Sequence, residues 1–217
     1  MIMKKTLVAA VAISALFAGG AAMAQDDAGH LSYNIAVTSN YVWRGVTQTD
    51  NNAALQGGID YSKGMFYAGA WASNVDFPYG DGNADTELDL YMGLTPSAGN
   101  FKFDFGVIGY TYPSSGGDTI SELKAGVSHP MGKGAIGAVM YLDTNELEDP
   151  YYEVNASYPL TDKWSVSGAL GNYELYGYTT KNIGVTYAIN NTLGLDLRWA
   201  DASKQPSTFA ATLKASF

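Results

Sequence analysis

The chain has 217 residues and no cysteine, so a disulfide framework is excluded. Its 21 acidic residues outnumber its 12 lysines and arginines, and the formal net charge of −9 argues against a nucleic-acid partner. Charged residues make up only 15% of the chain, whereas Gly (25) and Tyr (16) are abundant.

The first residues have the pattern of a secretory signal peptide. Lys4 and Lys5 precede an apolar run from Leu7 to Phe17, and an Ala-x-Ala site ends at Ala24. This run is too short to span a membrane as a helix, and no longer apolar run follows it. We therefore predict export, with a signal peptide over residues 1–24 and one domain over residues 25–217.

Twelve segments then alternate between an apolar parity and a small, polar or charged parity, which indicates β-strands. The third is ambiguous, because Tyr67 and Trp71 oppose Phe66 and a run of alanines. In chain order the predicted strands cover residues 31–44, 53–61, 65–75, 86–95, 101–112, 119–129, 135–142, 151–160, 164–173, 180–189, 192–200 and 208–217.

Charged residues within these strands are assigned to the parity opposite the apolar one, so in a barrel they would face the lumen. The predicted lumen-facing charges are Arg44, Asp60, Glu87, Asp89, Lys102, Asp104, Glu122, Lys124, Glu153, Lys181, Asp196, Arg198 and Lys214. Tyr91, Tyr110, Tyr112 and Tyr173 share that parity and would narrow a channel. A soluble β-sandwich alternates in the same way, so the pattern alone does not separate the two folds.

Three further features favour a membrane barrel. Most strands run about nine to eleven residues, the length of a tilted membrane strand. Aromatic residues lie toward strand ends on the apolar parity, as in interfacial girdles; they are Tyr33, Tyr41, Trp43, Tyr61, Phe101, Tyr152, Tyr158, Trp164, Trp199, Phe209 and Phe217. Short turns alternate with longer, acidic loops at 45–52, 76–85, 113–118, 143–150, 174–179 and 201–207. We predict an all-β, up-and-down antiparallel transmembrane barrel of about 12 strands.

Few residues suggest a catalytic, metal-binding or ligand-binding site. His30 and His129 lie away from any matching Ser or Asp at a rim, so a hydrolytic site lacks its general base and we predict no enzyme. The acidic loops 81–85 and 143–149 could bind Ca²⁺, but solvated loops are the favoured interpretation, and no cofactor or metal is predicted. Asn51, Asn52 and the Tyr-rich segment 173–178 could form a sugar or nucleoside vestibule, although loop packing is favoured.

The segment Ser39-Asn-Tyr-Val-Trp-Arg-Gly45 resembles the TorF-type porin family of proteobacteria. The resemblance continues through residues 54–61, 67–77, 87–91, 110–113 and 152–160, and it covers most of the chain after the signal peptide. Trp43 departs from the Phe expected in this family. The resemblance implies an outer-membrane barrel with pore activity, with no agreed substrate and no catalytic residues.

We therefore hypothesise a narrow outer-membrane porin-like channel for passive diffusion of small hydrophilic solutes or ions, weakly selective for cations. The alternative is a closed structural or interaction barrel with acidic loops and no transport; a soluble periplasmic β-protein is a third interpretation. The expected partners are outer-membrane lipid and lipopolysaccharide, the barrel-assembly machinery and small hydrophilic solutes, in the outer membrane of a Gram-negative cell.

The last strand ends on Phe217, which resembles the terminal signal that the assembly machinery reads. Deletion of Phe217 should lower the amount of assembled barrel without changing export across the inner membrane. Heat-modifiable migration in detergent measures the assembled fraction, and wild-type levels in the deletion variant would contradict this role.

Overall fold

The computed structural model describes residues 28–116 and 119–217. Its ordered elements in this part of the chain are strands. Twelve are long: β1 (His30–Thr38), β4 (Ala54–Lys63), β5 (Phe66–Tyr79), β6 (Gly82–Leu94), β8 (Phe101–Thr111), β9 (Ile120–Met131), β10 (Gly134–Asp143), β11 (Tyr151–Pro159), β12 (Trp164–Tyr173), β13 (Tyr178–Ala188), β14 (Leu193–Ala202) and β15 (Thr208–Ser216). Three are two-residue pieces: β2 (Val42–Trp43), β3 (Val46–Thr47) and β7 (Ser97–Ala98).

The long strands form one closed antiparallel barrel. Each long strand pairs with the long strands before and after it in the chain, and β1 pairs with β15 to close the ring. The predicted twelve-stranded up-and-down barrel is therefore confirmed. Among the described residues, no helix has the length and apolar character needed to cross a membrane.

The wall is apolar outside and charged inside. On β6, Leu90 is 59% exposed while its neighbour Asp89 is 4% exposed, and the same alternation places Glu87 inside and Met92 outside. A soluble sheet protein buries its apolar face and hydrates its charges. The barrel has the reverse arrangement, which suits an apolar surrounding and a polar interior.

The start of β1 and the end of β15 lie at the same end of the barrel, because they are paired with each other. We call this the turn end, since the connections 64–65, 132–133, 160–163 and 189–192 there are short. The opposite end, the loop end, carries the connections 39–53, 80–81, 112–119, 144–150, 174–177 and 203–207.

Two predicted boundaries are wrong. The first strand was expected to reach residue 44, but β1 ends at Thr38, where Thr38 pairs with Ala54. The expected loop 76–85 is mostly strand, because β5 and β6 continue as a hairpin to the turn at Gly80-Asp81 after a register shift between Asn74 and Phe77. Strand β5 also settles the ambiguous segment: the Tyr67 hydroxyl bonds Asp104 and the Trp71 ring packs on Tyr41, so both face inward.

Small residues in the wall make room for large inward side chains. An added Cβ at Gly93 would lie 2.5 Å from the Tyr67 hydroxyl, and one at Gly106 would lie 2.6 Å from the same atom. Tyr67 therefore lies against the wall across two glycines and reaches Asp104. This packing accounts for part of the joint abundance of Gly and Tyr.

Candidate functional site: a hairpin folded into the lumen

Residues 39–53, which we call the lumen hairpin, leave the wall after β1 and return to it at β4. Strands β2 and β3 pair around Arg44 and Gly45, which have φ values of 46° and 81°. Positive φ at both central residues is the signature of a type I′ turn, whose twist matches a tight hairpin. Because a side chain at positive φ is strained by about 1–3 kcal/mol, Arg44 requires stabilising contacts elsewhere.

The base of the lumen hairpin is held by a polar network around Asn40. The Asn40 amide donates to Asn51 Oδ1 (3.0 Å) and Thr208 Oγ1 (2.9 Å), and its oxygen accepts from Thr47 Oγ1 (2.7 Å). Thr49, which is fully buried, donates to the carbonyl of Asn52 (2.6 Å). These bonds link the two arms of the hairpin to each other and, through Thr208, to β15.

Arg44 forms a buried, bidentate ion pair with Glu122 of β9. The Nη1–Oε1 and Nη2–Oε2 distances are 2.8 and 2.7 Å, and the two side chains are 2% and 5% exposed. Tyr110 of β8 donates its hydroxyl to Glu122 Oε2 (2.9 Å), which fixes the carboxylate. A bidentate guanidinium–carboxylate pair is among the strongest polar contacts in proteins.

Aromatic rings surround the same guanidinium. Its central carbon lies 4.2 Å from the ring centroid of Trp43, 4.3 Å from that of Tyr151, and 4.8 Å from those of Tyr141 and Tyr173. Burial alone would lower the pKa of Arg44, but the charge and hydrogen bonds of Glu122, together with the nearby Tyr110 and Tyr173, outweigh burial and raise it above the usual value. The guanidinium is therefore always charged and depends on Glu122 and these rings.

Tyr41 ties the hairpin to the other side of the lumen. Its hydroxyl donates to Glu87 Oε1 of β6 (3.3 Å), and its ring packs edge-on against Trp71 of β5 at 5.4 Å. Burial, together with the charges of Glu87 and Asp89, raises the pKa of Tyr41 well above its usual value. The phenol therefore stays protonated and donates to Glu87 across the physiological range.

The lumen hairpin thus spans the barrel between β5–β6 and β8–β12. Its tip reaches a third part of the wall, because a Cβ at Gly45 would lie 2.7 Å from the carbonyl oxygen of Asp201. Trp43 fills the space between Tyr110 and Tyr173, with ring centroids 6.0 and 6.1 Å away. At this level side chains occupy the lumen.

The predicted girdle positions of Tyr41 and Trp43 are therefore wrong: both lie inside the barrel. Sequence reasoning also missed Asn40, Thr47 and Thr49, which hold the hairpin together. The sequence did carry a signal for this hairpin, because the expected first strand was longer than a membrane strand needs and was followed by Gly45 and a polar stretch.

Below the lumen hairpin, charged side chains pair along the wall. Asp104 accepts from Lys124 (2.6 Å) and Tyr67 (2.8 Å), and Asp60 accepts from Tyr91. Arg198 contacts Asp196 (3.2 Å), and its guanidinium also donates to Asn182 and Ser167. Glu153 accepts from Tyr151 and Asn155, while Lys102 and Lys214 are partly buried.

Lys181 is a correction to the predicted lumen set. It shares the parity of Ile183 and Val185, both of which face outward, and its side chain is 54% exposed. There it pairs with Asp201 at 3.4 Å and lies 5.5 Å from the Trp199 ring centroid. The expected lumen position was wrong because the parity of this strand was counted one residue out.

The remaining candidate chemical groups are dispersed. His129 packs its ring on Phe101 at 4.7 Å, and His30 is exposed at the start of β1. In the described part of the chain, His, Asp and Glu do not assemble into a group of three with metal-binding geometry. Asp143 of the acidic loop 143–149 instead accepts from the backbone amide of Asn145 (2.7 Å).

Replacement Glu122→Gln should release the lumen hairpin. It leaves the charge of Arg44 buried without a partner, which costs about 3 kcal/mol or more, on the order of a hundredfold in the opening equilibrium. Hydrogen exchange at the hairpin amides, including Gln48, which bonds to the Tyr41 carbonyl, should accelerate accordingly while the β12–β13 ladder is unchanged.

Asp60→Asn is the matched control, because Asp60 also accepts from a lumen tyrosine but belongs to a different contact group. Equal exchange of the hairpin in the wild-type protein and the Glu122→Gln variant would show that the ion pair does not hold it.

Solved structures share the fold at low sequence identity. A KdgM porin in complex with disordered oligogalacturonate aligns with a TM-score of 0.63 at 9% identity, covering 88% of this chain and 99% of that one. A NanC porin aligns at 0.54 and 11%, covering 87% and 99%. Outer membrane phospholipase A from Escherichia coli aligns at 0.50 and 11%, covering 86% and 88%.

At identities this low, the similarity shows a common barrel fold and does not establish a common activity. No curated protein sequence matches the chain. These similarities do not confirm the TorF-type resemblance, which remains a prediction. A family model described as a bacterial protein of unknown function matches residues 22–216, and the chain belongs to this family, Gcw_chp.

Proposed function

We propose that the protein is an outer-membrane channel for small hydrophilic solutes or ions, closed by the lumen hairpin in the described conformation. The observation that supports it most is the position of the hairpin. It connects Thr38 to Ala54, two directly paired wall residues, so it can move without breaking the barrel. Porins occur among the proteins that share the fold.

Membrane insertion is supported by the outer surface. Large apolar side chains are exposed on every long strand of the wall, including Ile35, Leu90, Val154, Leu197 and Leu213. Burial of so much apolar surface in lipid is favourable, whereas its exposure to water would promote aggregation. Export by the predicted signal peptide, at residues 1–24, concerns a segment outside the described residues and belongs to the same proposal.

The charges near the hairpin favour cations. Glu87, Asp89 and Glu122 are buried at this level, and Arg44 is the basic residue that the hairpin brings to them. When the hairpin leaves, Arg44 leaves with it, and three carboxylates line the opened section. A lumen with excess negative charge raises the local concentration of cations.

A closed structural barrel is the second candidate, and the burial of Arg44 favours it. The paired charges below the hairpin fill part of the lumen in either case. For an enzyme the structure offers less, since His129 packs on Phe101 near the turn end of β9 and His30 is exposed at the start of β1, whereas the cluster around Arg44 lies toward the loop end. For either barrel, channel or closed, the proposed partners are outer-membrane lipid, lipopolysaccharide and the assembly machinery.

Replacing residues 39–53 by Asn-Gly tests the channel directly. The two-residue turn joins the paired Thr38 and Ala54 and suits a tight hairpin. In planar bilayers the variant should show steady, cation-selective conductance, whereas the wild-type protein should open on the order of a hundredfold less often. The reversal potential in a salt gradient measures the selectivity.

Adding Glu87→Gln and Glu122→Gln to that variant should reduce the preference for cations while conductance persists. A folded, heat-modifiable Asn-Gly variant with no channel events would contradict the channel and favour the closed structural barrel.

A further inference from the structure

We propose that the cage around Arg44 is a guanidinium-binding site, and that the hairpin's own arginine occupies it in place of an external ligand. The ligand class is small organic cations that carry an alkylguanidinium group. Such a cation would compete with Arg44, displace the lumen hairpin and enter the lumen. The inference rests on the proposed channel function and specifies what that channel recognises.

The wall of the barrel builds most of the cage. Glu122 comes from β9, and Tyr141, Tyr151 and Tyr173 come from β10, β11 and β12. These four strands are consecutive neighbours in the sheet, so their spacing is fixed by the ladder. Trp43 is the one cage ring that the hairpin supplies. The site therefore persists when the hairpin moves away.

Contacts other than those to Arg44 hold Glu122, Tyr151 and Tyr173 in place. Tyr110 donates to Glu122, and the hydroxyl of Tyr151 contacts both Glu153 and Thr180 at 2.9 Å. The ring of Tyr173 packs edge-on against Tyr151 at 5.5 Å. A site whose side chains are fixed before binding loses little conformational entropy when a ligand arrives.

The chemistry of the cage suits a guanidinium better than an ammonium ion. The two Glu122 oxygens accept in parallel from two guanidinium nitrogens, and flat rings lie at stacking distance. A tetrahedral ammonium cannot make the bidentate contact or stack its plane on a ring. The third nitrogen, Arg44 Nε, is buried without a hydrogen-bond partner in the described part of the chain, so a ligand nitrogen that bears an alkyl group fits there.

Arg44 occupies the cage as a tethered ligand, and its backbone is strained in the bound position. Attachment to the hairpin keeps its effective concentration high. Its left-handed φ of 46° strains the turn and favours release. Competition therefore requires a free ligand that makes the same contacts without the strain.

The experiment uses Arg44→Gly, which empties the cage. Glycine accepts the positive φ at this position, so the type I′ turn is retained. The refolded protein in detergent is titrated with methylguanidinium by calorimetry, with methylammonium as the comparison cation. We expect saturable binding of methylguanidinium to Arg44→Gly, with a half-saturation concentration at least about tenfold below that of methylammonium for the same variant. It should also lie at least about tenfold below the half-saturation concentration of methylguanidinium for the wild-type protein.

Arg44→Gly combined with Glu122→Gln is the matched control and should lose the binding. The Asn-Gly replacement of residues 39–53 is the second variant, because it exposes the cage from the loop end. If both cage-empty proteins are folded, as heat-modifiable migration shows, and neither binds methylguanidinium saturably, the proposal is wrong.

Conductance separates the site from the channel. Methylguanidinium current or concentration-dependent block through the Asn-Gly variant would support both. Saturable binding with no current in any variant would support the site and contradict the channel. Current without saturable binding would contradict the site and leave the channel standing.

Discussion

The pair of Arg44 and Glu122 ties the tip of the lumen hairpin to the barrel wall, and the closed state of the proposed channel depends on it. Moving a guanidinium and a carboxylate out of water costs several kcal/mol per ion. Here the bidentate geometry, the Tyr110 hydroxyl and four aromatic rings offset that cost. The backbone strain of Arg44 in the turn adds to the free-energy cost that these contacts must offset. Breaking the pair from either side therefore leaves a buried charge without its ionic partner.

The lumen hairpin is attached to a wall whose ring of strands closes without it. Hydrogen-bond ladders close the wall around its whole circumference, including the β1–β15 seam. The hairpin has its own network around Asn40 and joins the wall where Thr38 pairs with Ala54. A rigid wall with one attached element is the arrangement that the proposed gate requires. On the wall side, Tyr110 bonds to Glu122, and the rings of Tyr141, Tyr151 and Tyr173 lie against the guanidinium of Arg44.

Alternation predicted the strands well because inward and outward environments differ so strongly; Leu88, Leu90 and Met92 against Glu87 and Asp89 leave one possible orientation. The same alternation misled at the first strand, where Tyr41 and Trp43 continue the parity of Ile35 and Val37 although the chain has left the wall. Arg44 carries no local signal for a left-handed turn, unlike Asn-Gly. Its partner Glu122 lies 78 residues away, and such a pairing cannot be read from one sequence. Likewise, the acidic segment 76–85 was expected to be a loop, but paired strands continue there past a register shift.

The most direct measurement of whether the ion pair holds the lumen closed is a double-mutant cycle on hairpin opening. Hydrogen exchange of the amides in residues 39–53 would be compared for the wild-type protein, Arg44→Gly, Glu122→Gln and the double variant in one detergent. We predict a coupling free energy of about 2 kcal/mol or more between the two positions, because removing either residue leaves the other buried without its ionic partner. Opening free energies that simply add would contradict the central role of the pair.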